Sequence, residues 1–167
     1  MELLTAIDTR TSAARLAAPG PTAAQLARIL DAAAHAPDHG RLRPWQFTVL
    51  GDEVLERFAT AAAAKRALMP AMSEEQFASE REKFLRSPTV VVVGCRVRRD
   101  QGKIPEIEQV VAAAAAAQNL FLAAHDLGFG VMWKTGAAAY DGAVKATVGL
   151  AADDHIVGIM HLGTRVK

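Results

Sequence analysis

The chain contains little cysteine and few aromatic side chains. Of its 167 residues one is Cys, two are Trp and one is Tyr. The single cysteine, Cys95, excludes an intramolecular disulfide and any zinc site built from several cysteines. A chain without disulfides fits a reducing compartment, so we predict a cytoplasmic protein.

Neither sign of charge dominates the sequence, because 19 Lys and Arg stand against 18 Asp and Glu. This balance argues against a protein that wraps nucleic acid or lies on a membrane surface through basic residues. The N-terminal residues MELLTAIDTR carry charges and have no apolar core, unlike a signal peptide. The most apolar run, residues 110–117, is too short to span a bilayer. We therefore expect no nucleic acid and no membrane among the partners.

Several catalytic signatures are also missing. The sequence has no GxGxxG, no GxxxxGK[ST], no GxSxG and no HExxH motif, which argues against a Rossmann fingerprint, a P-loop, a hydrolase elbow and a zinc protease. His35 and His39 have the spacing of a helical zinc motif, but Pro37 between them breaks the helix that such a motif needs. We predict no metal site and interpret the pair as exposed or core-edge histidines.

Helix and strand signals alternate along the chain. Two capping boxes, Thr22 with Gln25 and Ser73 with Gln76, each open a helix. The run TVVVVGC, residues 89–95, is continuously apolar and β-branched, as expected for a strand buried on both faces. The remaining signals predict helices over residues 1–8, 51–65, 105–127 and 141–148 and strands over residues 46–50, 131–135 and 156–162. Such intermixing indicates one α/β or α+β domain, residues 1–167, with one mixed sheet.

Two short segments carry groups that suit a bound anion. The segment Arg10-Thr11-Ser12-Ala13-Ala14-Arg15 offers guanidinium groups and hydroxyls that a phosphate could accept hydrogen bonds from. Trp133, Lys134 and Thr135 end a predicted strand just before Gly136. The alternatives are solvated arginines in the first segment, and a core indole with a solvated ammonium in the second.

Four segments in order resemble the nitroreductase family, and within it the small single-domain branch. They are RTSAAR, APDHGRLRPWQF, QNLFLAAHDLGFGVMWKTG and IVGIMHLGT, which together run from residue 10 to residue 164. The resemblance implies an α+β, nitroreductase-like fold with a central mixed sheet of four to five strands, flanking helices and one long central helix. It also implies a homodimer that binds FMN at the subunit interface and passes electrons from NAD(P)H to nitro compounds, quinones or other small acceptors in a ping-pong cycle.

The resemblance assigns roles to individual residues. Arg10 and Ser12 would hold the FMN phosphate, with Thr11 contributing backbone. Pro37, Asp38 and His39 would line the flavin ring, and His35 would reach the flavin of the partner subunit. The second half of the site would come from Trp133, Lys134, Thr135 and Gly136, with the amide of Thr135 or Gly136 near flavin N5. Lys134 or Arg43 would place a cation near the ring. No catalytic side chain is expected, since hydride passes directly to N5.

This chain departs from the family at three places. Gly40, Leu42 and Arg43 stand where asparagine and glutamine are common, and Trp133 places an indole where many members have a smaller residue. The chain ends at Lys167, four residues beyond Gly163, so we expect the dimer to rely on a helix face such as residues 106–127.

Other interpretations stay open at this point. The charged helix of residues 73–86, with Met69 and Met72 before it, is either a lid or a solvated amphipathic helix. A different class of function is a flavin-binding or flavin-storing protein without NAD(P)H turnover, in which Trp133 blocks the pocket. A third possibility is a helical scaffold that binds no cofactor.

Overall fold

The computed structural model describes residues 1–67, 72–100 and 102–166. In these ranges the helices are α1 (Leu3–Thr9), α2 (Ala23–Ala34), α3 (Asp52–Ala67), α4 (Glu74–Leu85), α5 (Glu106–Asp126) and α6 (Gly142–Thr147). The strands are β1 (Leu16–Ala17), β2 (Trp45–Val49), β3 (Thr89–Cys95), β4 (Gly130–Lys134) and β5 (His155–Arg165). Short 3-10 turns cover His39–Arg41 and Ala137–Tyr140.

Both predicted capping boxes are confirmed. The Thr22 hydroxyl accepts a hydrogen bond from the Gln25 amide, and the Gln25 side chain accepts one from the Thr22 amide. Ser73 and Gln76 make the same reciprocal pair at the start of α4. Each box satisfies backbone N–H groups that the first turn of a helix leaves unpaired. The two helices therefore begin where the sequence predicts.

The five strands form one sheet in the order β1-β5-β3-β2, and β4 also pairs with β5. The α+β class and the strand number are confirmed, but the expectation of a mixed sheet is wrong, because every pairing is antiparallel. Two helices, α3 and α4, lie between β2 and β3 along the chain, and β3 returns antiparallel to β2. In β5 the sheet has a central strand that contacts three others.

Apolar side chains cover both faces of the sheet. On one face Val90, Val92 and Ile159 pack with Phe58 of α3. On the other face Val91, Val93 and Met160 pack with Leu120 of α5. The prediction that residues 89–95 form a strand buried on both faces is thus confirmed, and alternate residues of β3 serve the two cores.

Helix α5 is long and apolar enough to cross a membrane by length and composition alone. Its alanines at 113, 116 and 117 are fully buried in the fold, which accounts for the composition by core packing. The neighbouring Cys95 is also buried, and burial raises the pKa of its thiol to about 12. A thiol held protonated in this way is a poor nucleophile.

The sequence missed two parts of the sheet. The two-residue strand β1 pairs with the end of β5, and β5 extends three residues past the predicted end, to Arg165. In β2 both Trp45 and Phe47 are half-buried, and Phe47 packs against the α5 core. Met69, named with the possible lid, and Lys167 lie outside the described residues.

Candidate functional site

A basic cleft opens on the α3 and α4 face of the sheet, beside the edge strand β4. It is formed by residues 13–16, by Lys83, Arg86 and Ser87 at the end of α4, by Met132 and Lys134 of β4, and by His161 and Val166. Its volume is about 300 Å³, which is in the range of small-ligand sites. The alternation of β4 explains the lining, because residues 132 and 134 point to the same face.

Positive charge collects in the basic cleft. Arg15, Lys83, Arg86 and Lys134 line it, and the described lining contains no carboxylate. Burial lowers the pKa of Lys134, and the positive charges of Arg86 and Lys83 lower it further, while Glu80 opposes the effect. An anion bound in the cleft would relieve this repulsion between like charges.

A second cavity of about 400 Å³ adjoins the basic cleft and shares Lys83 and Lys134 with it. This adjoining cavity is completed by Thr135, Gly136 and Glu80, among others. Glu80 forms an ion pair with Lys83. The two cavities therefore lie side by side, with a cationic cleft next to a less charged cavity.

The floor of the basic cleft holds a buried histidine. His161 of β5 is 1% exposed, and its Nδ1 lies 2.8 Å from the Ser87 Oγ. Its Nε2 is buried without a hydrogen-bond partner in the described structure. Burial lowers the pKa of His161 to about 3, and the nearby Lys134 charge adds to the effect, so the ring is neutral at physiological pH.

Residues 10–12 precede the cleft-lining residues 13–16 along the chain, but they are not among the residues that line the cleft. The Arg10 guanidinium sits over the Phe121 ring, 4.8 Å from its centroid. Thr11 accepts two hydrogen bonds from Arg165, at its Oγ1 (2.8 Å) and at its carbonyl oxygen (2.7 Å). Ser12 is exposed. Within the predicted anion-binding segment, Arg15 is the cationic residue that lines the basic cleft.

The Trp133 indole packs on the opposite side of the sheet from the basic cleft. Its Nε1 donates to the Val157 carbonyl oxygen at 3.1 Å, and its ring packs against the α5 core. A Cβ at Gly158 would lie 2.6 Å from Nε1, so any side chain at this position would clash with the indole. Trp133 is not among the residues that line either cavity, and the expectation that it narrows the pocket is not supported by its position.

The histidine-containing segment borders a different surface. Pro37, Asp38 and His39 line an open groove of about 370 Å³ along α5, here called the α5 groove, with Ile107 and Val111 opposite. His39 Nδ1 lies 2.6 Å from Glu108 Oε2, and His35 Nδ1 lies 2.8 Å from the Asp31 carbonyl oxygen. The two histidines thus have separate partners.

The loop after His39 has an unusual backbone. Gly40, Arg41 and Arg43 have positive φ angles of 70°, 54° and 47°, which non-glycine residues rarely adopt. Asp38 supports the turn, because its Oδ2 accepts a hydrogen bond from the Arg43 amide at 2.7 Å. Both arginines are exposed, and neither is among the residues that line the basic cleft.

Within one chain six of the predicted site residues fall into two groups, and Arg10, Thr11, Ser12, His35 and Trp133 line neither of these places. Lys134, Thr135 and Gly136 line the two adjoining cavities, whereas Pro37, Asp38 and His39 line the α5 groove. Sequence reasoning missed Lys83, Arg86, Ser87 and His161. Two features of the sequence could have indicated these residues: the LRSP segment just before a buried strand, and a lone histidine inside the apolar run IVGIMHL.

Comparisons with known proteins agree with this architecture. The model of the Nitroreductase family matches residues 7–164. The "Putative NAD(P)H nitroreductase YdjA" of Escherichia coli (strain K12) is 35% identical over 164 residues, which are 98% of this chain and 88% of that protein. A nitroreductase-like family protein from Bacillus cereus has a TM-score of 0.82 and 26% identity, covering 100% of this chain and 87% of its own. A Bacteroides fragilis nitroreductase with bound FMN has a TM-score of 0.74 and 25% identity, covering 99% and 89%.

Proposed function

Because this chain belongs to the nitroreductase family, we propose that it is an FMN-dependent NAD(P)H oxidoreductase that reduces nitro compounds, quinones or similar small acceptors in a ping-pong cycle. One observation carries the proposal. Four cationic side chains converge on a cleft whose described lining has no carboxylate. That donor set suits the phosphate of FMN, which carries close to two negative charges and accepts several hydrogen bonds.

The two adjoining cavities, of about 300 and 400 Å³, offer a ligand a cationic end and a less charged region. When bound, FMN supplies two-electron chemistry by taking a hydride from NAD(P)H and delivering electrons, together with protons, to the acceptor. The basic cleft offers Arg15 and Arg86 to the phosphate, and Arg10, Thr11 and Ser12 precede Arg15 on the same segment. Lys83 and Lys134, shared by both cavities, would face the middle and ring end of the ligand. Their charge would favour an electron-rich ring.

We further propose a homodimer with one flavin at each subunit interface. Helix α1 exposes Leu3 and Leu4 (66% and 72%), and α5 exposes Ile107 and Val111 (66% and 60%). Exposed apolar side chains of this size on packed, neighbouring helices are typical of a face that another subunit covers. A second copy on this face would bring its His35 to His39 segment toward the flavin, which would unite the two groups of site residues.

The alternative of a flavin-binding protein without turnover depended on Trp133 filling the pocket. The indole packs on the other face of the sheet and bonds to Val157. This position favours the enzyme over the binding protein.

The first test is a titration of flavin-stripped protein with FMN, riboflavin and FAD, followed by quenching of flavin fluorescence. We expect saturable binding of about one FMN per chain and much weaker riboflavin binding, because riboflavin lacks the phosphate. Arg15→Ala and Arg10→Ala should each weaken FMN binding by about 1.5–3 kcal/mol, as for hydrogen bonds to a charged group. The matched control is Arg28→Ala, which removes an exposed arginine of α2.

Turnover is tested separately by mixing the FMN-bound protein with NADH or NADPH without oxygen. Rapid bleaching of the flavin, reversed by a nitroaromatic or a quinone, is the expected result. A flavin that stays oxidised would favour the binding protein, and a protein that ignores FMN would favour the scaffold.

A further inference from the structure

The proposed function leaves one polar pair unused, a half-buried serine and a buried histidine. Ser87 follows α4 and His161 lies in β5, and both line the basic cleft. The His161 ring is held by its neighbours, because the Phe84 ring centroid lies 6.0 Å away and the Ser87 Oγ lies 2.8 Å from Nδ1. A polar side chain that is 99% buried and has one unpaired nitrogen needs a physical reason for its place.

The protonation state of His161 follows from its surroundings. The charged residues that line the basic cleft are Lys134 on β4, Lys83 and Arg86 on the α4 side, and Arg15 on the opposite segment. All four are cations, and the nearest carboxylate in the adjoining cavity, Glu80, pairs with Lys83. Burial and the Lys134 charge keep the ring neutral. A neutral imidazole carries one proton, which sits on either Nδ1 or Nε2.

The hydrogen-bond pattern selects between the two tautomers. A proton on Nε2 would bury an N–H group with no acceptor among the described residues, and orphaned N–H donors are rare in folded proteins. A proton on Nδ1 instead donates to the Ser87 Oγ. The positive charges of the cleft also favour a lone pair over an N–H group on the remaining nitrogen.

This tautomer determines what Ser87 can do. The Ser87 oxygen accepts a hydrogen bond from His161 Nδ1, so the Ser87 hydroxyl hydrogen is free to donate. Because Ser87 lines the basic cleft, this hydrogen can be donated to a ligand there. We propose that Ser87 donates a hydrogen bond to an anionic oxygen of the ligand in the basic cleft, and that His161 is the positioning residue that directs the Ser87 hydroxyl. With the proposed function as its basis, the ligand oxygen belongs to FMN.

Affinity measurements on a set of variants test the pair. Ser87→Ala removes the donor, and we expect the FMN dissociation constant to rise about tenfold or more, as for a lost hydrogen bond to a charged group. Ser87→Thr retains the hydroxyl and should keep most of the affinity. His161→Leu removes the positioning group and should weaken binding, whereas His161→Asn can present an N–H near the Nδ1 position and should restore part of the affinity.

The double variant Ser87→Ala/His161→Leu separates positioning from a general structural effect. If His161 acts through Ser87, adding His161→Leu to Ser87→Ala causes no further loss of FMN affinity. An equal loss of affinity in both backgrounds would overturn the inference. An unchanged FMN affinity in Ser87→Ala would also overturn it while leaving the proposed function intact.

Two measurements decide the inference even if FMN does not bind. In ¹⁵N-labelled protein, the nitrogen shifts of His161 should report a protonated Nδ1 and an unprotonated Nε2, and a protonated Nε2 would refute the pair as described. Titration with inorganic phosphate, followed by the amide shifts of residues 83–87, should give weaker binding in Ser87→Ala than in the wild type. Equal phosphate affinity would refute it, whereas failure of the wild type to bind FMN would refute the proposed function alone.

Discussion

At the scale of single residues, Lys134 links the charge of the cleft to its function. Burial and two neighbouring cations lower its pKa, so folding disfavours the ammonium form. The protein without ligand therefore gains stability as pH rises from the lowered pKa toward the usual value of 10.5. A bound anion would reverse the effect by stabilising the ammonium.

We expect Lys134→Met to stabilise the protein without ligand and to weaken FMN binding about tenfold. The stabilisation should be small, about 0.5 kcal/mol or 1–2 °C, because Lys134 is partly exposed and solvent screens its charge. Thermal melts at low salt, with and without FMN, measure both effects. Lys103→Met, which removes an exposed lysine outside the cleft, is the control. A lower melting temperature for Lys134→Met without ligand would contradict the electrostatic argument.

His161 gives a prediction with the same direction of pH dependence, but in the acidic range. Its pKa is lowered from 6.5 to about 3 in the folded protein, so its contribution to stability is complete above pH 6.5 and falls as pH decreases toward 3. The free energy of unfolding should lose up to about 1.4 kcal/mol per pH unit from this group. Denaturant unfolding of wild type and His161→Leu at several pH values isolates the loss, since all other groups are common to both. Parallel pH profiles of the two proteins would refute this contribution of His161. The control is His35→Leu, which removes an exposed histidine.

At the scale of elements, local signals predicted most of the boundaries. Thr22 and Ser73 begin their helices through contacts with residues three positions away, so the sequence contains the whole cause. The role of His161 could not be predicted in this way, because it depends on Ser87, 74 positions away in sequence. The direction of the strand pairings was likewise missed, since it depends on how α3 and α4 return the chain. The flavin roles of the two groups of site residues came from family resemblance, and these assignments stay predictions.

The two capping boxes offer a matched experiment. Ser73→Ala should lower the free energy of unfolding by about 1 kcal/mol, the usual cost of a lost helix N-cap, and Thr22→Ala should do the same. Because α4 forms a wall of both cavities, Ser73→Ala should also speed amide hydrogen exchange in the first turn of α4. Thr22→Ala should leave exchange in α4 unchanged. Identical exchange in α4 for both variants would mean that the box does not hold this helix.

At the scale of the whole molecule, two features stay predictions: a single domain over residues 1–167 and a cytoplasmic location. The core clusters on the two faces share the strands of one sheet, which supports one domain. The α5 groove and the basic cleft lie apart within one chain. The proposed dimer would bring the groove of one subunit to the cleft of the other.

We expect Val111→Glu to convert the dimer to a monomer. Val111 is 60% exposed and lines the α5 groove, so the new carboxylate would be buried without a partner if a second copy covered it. Sedimentation velocity should show the lower mass, and FMN binding should weaken together with dimerisation. Tyr140→Glu, at another exposed position (78%), should leave the mass unchanged. A Val111→Glu protein that stays dimeric would place the interface elsewhere.

The central position of β5 has a consequence for synthesis on the ribosome. Strands β1, β3 and β4 all pair with β5, which also supplies His161 to the cleft. Until residues 155–165 have left the ribosome, the nascent chain lacks the strand that joins the rest of the sheet, although β2 and β3 are already made. Cofactor loading must therefore follow the emergence of β5, and any truncated product that ends before it would expose both apolar sheet faces to chaperones and proteases.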